Sequence, residues 1–430
     1  MSHVPAAFQT EYKKISVLSK LINQSNPDSL GALEDVHEMM FEYTNLVSQG
    51  AIAKSISLQV TRALLQTARD CNVLLRRLPK RSRDTITGNV YQHLRKYASQ
   101  ISEDIIQKRL PRDLKTLGTL LALYETIDPQ AGLVLFKELD AVEATGSAMP
   151  CMLKAGWTLD QMKEAYERAP TKTDWIQAHM VRAYFENGEP EAAMELYRHM
   201  DTHNSKIMNK LDDLIIAEGP VAEAQKVLAK TITAPRSFAI MRLLERLWDS
   251  ESDMTAQFKV FDRYLQLVLG TSEEPLVGPT RVLVQHIFKA HGQDVQAIEA
   301  DLQKLARLYE SRGGAHTFLL NVILTEMSRA IPTEFDLATK IMVEYGAETD
   351  PVSYRVRLNA LESVDFEEKP QLVLSLWEAR MSLQVPLAAL DWIALGRSDK
   401  FGSLFNQLWQ AVGQPFYRDV MTFHRSYLRT

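Results

Sequence analysis

The feature that most constrains this fold is an internal repeat with a period of about 30 residues, a length typical of helical-repeat proteins. Gly188 and Gly219 lie one period apart, and the small residues that follow them, Ala193 and Ala224, keep the identical interval. A bulky side chain recurs at the same period, at Phe136, Tyr166, Tyr197 and Leu228. A unit of this length has no core of its own, so the repeat predicts that neighbouring units stack.

Each unit is predicted to hold two helices joined by a short turn. Apolar residues recur at three- and four-residue spacing, as in Leu117, Leu120, Leu121 and Tyr124, which is typical of amphipathic helices. Glycine ends the first helix, and the small Ala193, with Gly132 upstream, marks a close crossing by the second. The period loosens beyond residue 228, but roughly ten helix pairs are expected in a stacked array. The fold class is therefore predicted to be an all-α solenoid of helix-turn-helix repeats.

The repeat pattern also suggests a domain organisation. Residues 1–110 are predicted to form an N-terminal helical region, and residues 111–430 a degenerate helical-repeat solenoid. Cys71 and Cys151 are the only two cysteines, too few for a disulfide framework or a structural zinc site. No apolar run reaches the ~18 residues of a membrane span, and the amino terminus predicts neither a secretory signal nor a clear transit peptide.

Charge is distributed unevenly along the chain. The net charge is −5, yet residues 62–115 carry 13 Lys/Arg against 5 Asp/Glu, which is +8, so the remainder carries −13. The densest basic run contains Arg76, Arg77, Lys80, Arg81 and Arg83. Three interpretations remain open for this run: a solvated loop at a helix end, a nuclear-import-like signal, or a patch that contacts the phosphates of a polyanion.

Sequence signatures of catalysis are absent. The chain contains no phosphate-binding glycine loop, dinucleotide fingerprint, HExxH or CxxC motif. No cluster of carboxylates with the pattern of a metal-dependent nuclease accompanies the repeats. We therefore predict a protein that is not an enzyme and has no catalytic residue, metal ion or cofactor.

Two segments resemble the pentatricopeptide repeat family. Residues 178–200 combine a glycine turn, an acidic residue before Ala193 and a Leu-Tyr pair before Met200, as that family does. Residues 348–354 resemble the junction between two such repeats, with Asp350 closing one repeat and Tyr354 in the first helix of the next. The resemblance covers residues 110–230 best and is similar to the degenerate repeats of fungal mitochondrial members.

This resemblance implies a right-handed superhelix whose first helices line a channel for single-stranded RNA, about one base per repeat. It places base-reading positions at Leu117, Ala178, Asn209 and Arg355, with Asp350 at a closing position. Asn209 and Asp350 match the family's preference, whereas Leu117 and Ala178 cannot hydrogen-bond a base. Arg355 is not a base-reading residue type and is expected to contact a phosphate or to stack on a base. Cations on the predicted first helices are phosphate candidates: Arg182, Lys206, Lys210, Arg242 and Arg246.

The resemblance further implies a location in the mitochondrial matrix and a role in the stability, processing or translation of organellar transcripts. The expected partner is a mitochondrial transcript or ribosomal RNA, with the mitochondrial ribosome or RNA-processing proteins as further partners and no insertion into a membrane. The alternative is a tetratricopeptide-like scaffold that binds proteins without nucleic acid. The −13 outside the basic stretch favours that alternative, because an acidic surface repels RNA.

Overall fold

The computed structural model describes the following residues: 8–24, 32–50, 54–77, 80–202, 204–252, 254–268, 274–313, 316–330, 335–344, 346–363 and 366–427. Helices account for most of these residues, and no strand occurs among them. Within the same ranges no helix is long and apolar enough to cross a membrane.

Helices follow one another along the whole described chain. The first twelve are α1 (Gln9–Gln24), α2 (Ala32–Ser48), α3 (Lys54–Arg77), α4 (Lys80–Ile106), α5 (Leu114–Ile127), α6 (Pro129–Glu138), α7 (Thr145–Lys154), α8 (Leu159–Arg168), α9 (Asp174–Glu186), α10 (Pro190–His199), α11 (Ser205–Glu218) and α12 (Val221–Lys230). The others are α13 (Ser237–Glu251), α14 (Met254–Val268), α15 (Glu274–His291), α16 (Val295–Ser311), α17 (His316–Ala330), α18 (Phe335–Glu344), α19 (Pro351–Ala360), α20 (Lys369–Ser382), α21 (Ala389–Ser398), α22 (Ser403–Ala411) and α23 (Tyr417–Tyr427).

The ends of the helices carry the chemistry that the sequence suggests. Asp350 caps α19 by accepting a hydrogen bond from the backbone N–H of Ser353, and Pro351 follows it at the first helical position, where a missing N–H costs nothing. Gly188, just after α9, has a φ of +74°. That left-handed conformation is open to glycine at no steric cost and ends the helix before α10 begins.

The chain forms two compact units, residues 1–207 and residues 208–430, here called the N-terminal unit and the C-terminal unit. In the N-terminal unit the odd-numbered helices α1, α3, α5, α7 and α9 pack against one another in succession. We call the odd-numbered helices A helices and the even-numbered ones B helices. One apolar core extends from Ile15 to Ala183. This core is not interrupted near residue 110, where the sequence suggested a boundary, because α3 packs directly against α5.

The C-terminal unit repeats this arrangement. Its A helices α13, α15, α17, α19, α21 and α23 pack in succession, and each B helix packs against a neighbouring A helix. Two apolar cores fill it, one between Ile216 and Ala347 and one between Leu358 and Val420. The predicted all-α solenoid of helix-turn-helix repeats is confirmed.

The small residues of the repeat occupy the predicted close crossings. Ala193 on α10 and Ala224 on α12 are fully buried. At the equivalent place on α6, a Cβ added to Gly132 would lie 2.8 Å from the Cβ of Tyr124 and 3.0 Å from the Sγ of Cys151. The repeat therefore selects small side chains because each B helix meets the A helices at a distance that excludes larger ones.

Candidate nucleic-acid interface

Eight of the described A helices have an exposed side chain at their second position, including Thr10 on α1 and Arg418 on α23. This residue is large and apolar in four of them: Trp175 on α9, Phe238 on α13, Val352 on α19 and Leu390 on α21. Their exposed fractions are 41%, 60%, 42% and 59%. In α5 and α11 the same position holds an exposed lysine, Lys115 and Lys206. Large apolar side chains that are exposed at the same position of several repeats indicate a binding surface.

The helix caps correct one of the four assigned base-reading positions, the one on α5. The caps of α9 and α19 are Thr173 and Asp350, and Ala178 and Arg355 follow them by five residues. The cap of α5 is Asp113, so its fifth following residue is Gly118. Leu117, which the sequence suggested, is 1% exposed and belongs to the core, because a shift of one residue turns a side chain by about 100° around the helix.

Asn209 lies exposed on α11. It lines a small cavity of about 30 Å³ that α11 forms with the segment before α13, beside Asp212 and Thr231. The hydroxyl of Thr231 donates a hydrogen bond of 3.0 Å to Asp212. The amide of Asn209 is therefore accessible from the A-helix surface, with a polar wall next to it.

The predicted phosphate ligands fall into different environments. Arg182 pairs with Glu186 at 2.6 Å, and Arg242 lies 3.6 Å from Glu218. Arg246 is half-buried and donates to the carbonyl oxygens of Ala217 and Gly219 at the end of α11. Burial lowers the pKa of Arg246. These contacts give Arg246 a structural task, whereas Lys206 and Lys210 are exposed on α11.

The basic run lies at a helix junction. Arg76 and Arg77 end α3, while Lys80, Arg81 and Arg83 open α4; their side chains are outside the described residues. Nearby on α3, Arg62 and Arg69 are exposed and have no acidic partner within the described part of the chain. They stand about two helical turns apart, which places both on one face of this A helix. Sequence reasoning counted these two arginines in the basic stretch without singling them out.

A groove of about 520 Å³ lies between α15, α17 and the start of α19. Its polar floor is Asn321 on α17 and Asp350. The Asn321 amide donates to the two carboxylate oxygens of Asp350 at 3.2 and 3.3 Å. The hydroxyl of Ser353 donates to the Asn321 side-chain oxygen at 2.8 Å. Sequence reasoning missed Asn321, although it precedes Asp350 by close to one repeat period.

The two carboxylate oxygens of Asp350 accept different numbers of hydrogen bonds. Oδ1 accepts hydrogen bonds from the backbone N–H of Ser353 at 2.8 Å and from the Asn321 amide. Oδ2 accepts only from Asn321 within the described contacts. A carboxylate oxygen can accept more than one hydrogen bond, so Oδ2 keeps an acceptor position at the groove beside a donor amide.

Arg355 is held in a buried ion network. Its Nε lies 2.5 Å from Asp391, and Arg380 pairs with the same carboxylate at 2.9 Å. Burial alone would raise the pKa of Asp391, but hydrogen bonds from Arg355 and Arg380 outweigh it and hold that pKa below its ordinary value. The phosphate contact or base stacking expected of Arg355 thus competes with a structural role, since its guanidinium joins α19 to α21.

Comparison with solved structures shows the same fold elsewhere. The chain is similar to yeast Rmd9p, solved in complex with a 16-nucleotide target RNA, with a TM-score of 0.64, 14% identity, and coverage of 95% of this chain and 87% of that one. This chain has the pentatricopeptide-repeat fold. Maize PPR10, a pentatricopeptide repeat protein, matches with a TM-score of 0.41 and 14% identity, covering 98% of this chain and 68% of that one.

Comparisons by sequence alone find no relative. No model of a protein family matches the chain, and no characterised protein matches it. The three-dimensional arrangement therefore confirms the predicted resemblance at the level of the fold.

Proposed function

We propose that this protein binds single-stranded RNA along the starts of its A helices. The observation that carries the proposal is the recurrent exposed side chain at the second helical position, represented by Trp175 and Phe238. Apolar and aromatic side chains stack on the faces of unpaired bases. The lysines at the same position, Lys115 and Lys206, supply charge for the phosphates between bases.

The pair of Asn321 and Asp350 supports contact with a base edge in the groove of the C-terminal unit. The amide of Asn321 is a donor, and Oδ2 of Asp350 is an acceptor with capacity to spare. A base edge likewise presents donors and acceptors side by side. Because Ser353 fixes both side chains, the pair offers its hydrogen bonds in one orientation and favours bases with the complementary edge.

The cellular role follows from the resemblance to pentatricopeptide repeat proteins. We propose that the bound RNA is a mitochondrial transcript or ribosomal RNA, and that binding affects its stability, processing or translation in the matrix without catalysis. The target RNA of the structurally similar yeast Rmd9p supports the RNA part of this proposal. Imaging of the tagged protein, with sequencing of RNA crosslinked to it in cells, tests the compartment and the transcript together.

Binding itself is tested by fluorescence anisotropy with a labelled pool of single-stranded RNA. Trp175→Ala and Phe238→Ala should each cost about 1–3 kcal/mol of binding free energy, the usual contribution of one stacked base. Phe41→Ala is the matched control, because Phe41 is 65% exposed but lies on the B helix α2. Equal affinities for all three variants and the wild type would contradict stacking on the A helices.

A protein-binding scaffold is the second candidate function. The pairing of Arg182 with Glu186 and of Arg242 with Glu218 favours it, because these pairs neutralise cations on the A helices. The two functions differ in their salt dependence. RNA binding weakens steeply as salt rises, since counterions are released from the phosphates, and absence of RNA binding at low salt would leave the scaffold as the remaining candidate.

A further inference from the structure

A buried carboxylate stands between two exposed arginines in the C-terminal unit. Glu326 on α17 is 4% exposed. Its Oε1 lies 3.3 Å from the Nε of Arg281 on α15 and 3.2 Å from an Nη of Arg329 on α17. The amide of Gln285 donates to Oε2 at 2.9 Å. Two hydrogen bonds, from Gln285 and Arg329, and the ion pair with Arg281 thus compensate this carboxylate from two A helices, which is what an ionised group needs to remain buried.

The arrangement leaves positive charge and free donors at the surface. Two guanidinium groups share a single carboxylate, so the cluster carries a net charge of +1. Each guanidinium has five N–H donors, and only one from each contacts Glu326 among the described contacts. The side chains of Arg281 and Arg329 are 46% and 66% exposed. A network that served packing alone would not need to hold two guanidinium groups in water.

The cluster adjoins the groove of the proposed RNA site. Arg281 lines that groove together with Asn321 and Asp350. On α17, Asn321 and Thr325 precede Arg329 by about two turns and about one turn, so the cluster continues the polar stripe of this helix. An anion bound by the two arginines would therefore lie next to a group held at Asn321.

We propose that Arg281 and Arg329 clamp one phosphodiester of the RNA strand, next to the base that contacts Asn321 and Asp350. Glu326 is the positioning residue: it touches no RNA and orients the guanidinium groups before binding. Arginine suits this task because its planar donors match the oxygens of a phosphate in pairs. This inference rests on the proposed RNA-binding function and assigns one of its phosphate contacts.

The first test removes the clamp. In the double variant Arg281→Gln/Arg329→Gln, affinity for single-stranded RNA should fall about tenfold, the effect of one lost charge-assisted contact. The slope of log K against log salt should become less steep by about 0.7, the value for one phosphate on a single strand. The matched control is Lys226→Gln/Lys230→Gln on the B helix α12, which removes the same charge. Equal effects of the two double variants would overturn the clamp in favour of general attraction.

The second test separates positioning from charge. Glu326→Gln adds one positive charge to the cluster, so attraction alone predicts tighter RNA binding. The clamp predicts weaker binding, because the arginines lose the anion that orients them. Glu326→Asp leaves the charge unchanged and withdraws the carboxylate by one methylene, and it should also weaken binding. Tighter binding of Glu326→Gln, or unchanged binding of Glu326→Asp, would overturn the positioning role; circular dichroism verifies that both variants are folded.

The wild-type titration distinguishes this inference from the function on which it rests. If the wild-type chain binds no RNA, the proposed function fails and the clamp fails with it. If the wild type binds and the arginine variants match it in affinity and slope, only the clamp fails. Competition by sodium phosphate against sodium chloride at equal ionic strength completes the test. Stronger displacement by phosphate in the wild type, lost in the arginine double variant, is expected for the clamp, whereas equal displacement by the two salts would indicate general attraction and overturn it.

Discussion

The described A helices of the two units differ in whether buried carboxylates link them. Close contact at glycine occurs in both units, since Gly278 on α15 also lies against Met241 on α13. In the N-terminal unit α5, α7 and α9 meet at glycines: a Cβ on Gly118 would lie 2.9 Å from the Oγ of Ser147, and one on Gly146 would lie 3.1 Å from a side-chain carbon of Ile176. In the C-terminal unit, α15, α17, α19 and α21 are linked by polar networks centred on Glu326, Asp350 and Asp391.

The two units therefore differ in the contacts that they can make with a ligand. Close contact at glycine brings backbones together, and the ion pair that joins α7 to α5, Lys154 with Glu125 at 3.0 Å, is exposed to water. No buried carboxylate holds the exposed Arg62 and Arg69 among the described contacts of the N-terminal unit. The networks of the C-terminal unit hold donors and acceptors in set directions. We infer that the N-terminal unit contributes general attraction for a polyanion and that the C-terminal unit contributes selectivity.

The largest expected effect of a single change is on the ion network of α19 and α21. Asp391→Ala leaves Arg380, which is 1% exposed, with an uncompensated buried charge. The free energy of unfolding of the C-terminal unit should fall by about 3–5 kcal/mol. Hydrogen exchange resolved along the chain measures this unit by unit.

The control for that change is an ion pair in the N-terminal unit. Asp140 pairs with Arg168 at 2.8 Å, and its side chain is 77% exposed. Asp140→Ala should leave exchange rates nearly unchanged, because water solvates the separated charges. If both substitutions had equal effects, buried polar links would not distinguish the two units.

The second effect is a loss of stability in acid that arises from His286 in the C-terminal unit. His286 on α15 is 3% exposed, contacts Gln257 at 2.6 Å and stacks on Trp248. Burial, with a smaller contribution from Lys289, lowers the pKa of His286 to about 4. The unfolded chain then binds a proton more readily than the folded one, so stability is complete above pH ~6.5 and declines as pH falls toward 4.

The size of this acid effect follows from the two pKa values. The difference between about 4 and the ordinary 6.5 corresponds to about 3 kcal/mol at full protonation. Denaturant unfolding at pH 7 and at pH 4.5 measures it, with His286→Gln as the variant that should lose this pH dependence. If the free energies of unfolding of the wild type and of His286→Gln differed by the same amount at both pH values, the acid effect would not arise from His286.

The smallest of the three expected effects comes from a substitution at a close helix contact of the N-terminal unit. Gly132→Ala places a methyl group 2.8 Å from the Cβ of Tyr124, and α6 must move away from α5. The free energy of unfolding should fall by about 1–3 kcal/mol, as expected for overpacking in a dense core. The control is Gly188→Ala, which meets no neighbouring atom but has a positive φ; a loss there would arise from backbone strain alone.

The sequence determined the helical repeat because its signals are local. Apolar residues at three- and four-residue spacing define each helix, and the shared register of Gly188 and Gly219 places a turn between the helices of each pair. The small residues Gly132, Ala193 and Ala224 mark the crossings, since only the distance between two helices decides how much volume fits there. Asp350 was recognisable as a repeat junction for the same reason, because a cap acts within its own helical turn.

Only the tertiary structure decided which polar side chains meet. Asn321 and Asp350 stand on different A helices, and Arg281 and Glu326 are farther apart still along the chain, so no local pattern links them. The place of Leu117 shows the same limit: a shift of one residue turns a side chain by about 100° around the helix, which is enough to place it in the core. Periodicity fixes the helices and their order, whereas hydrogen-bond partners depend on the rotation and separation of packed helices, which only the assembled fold sets.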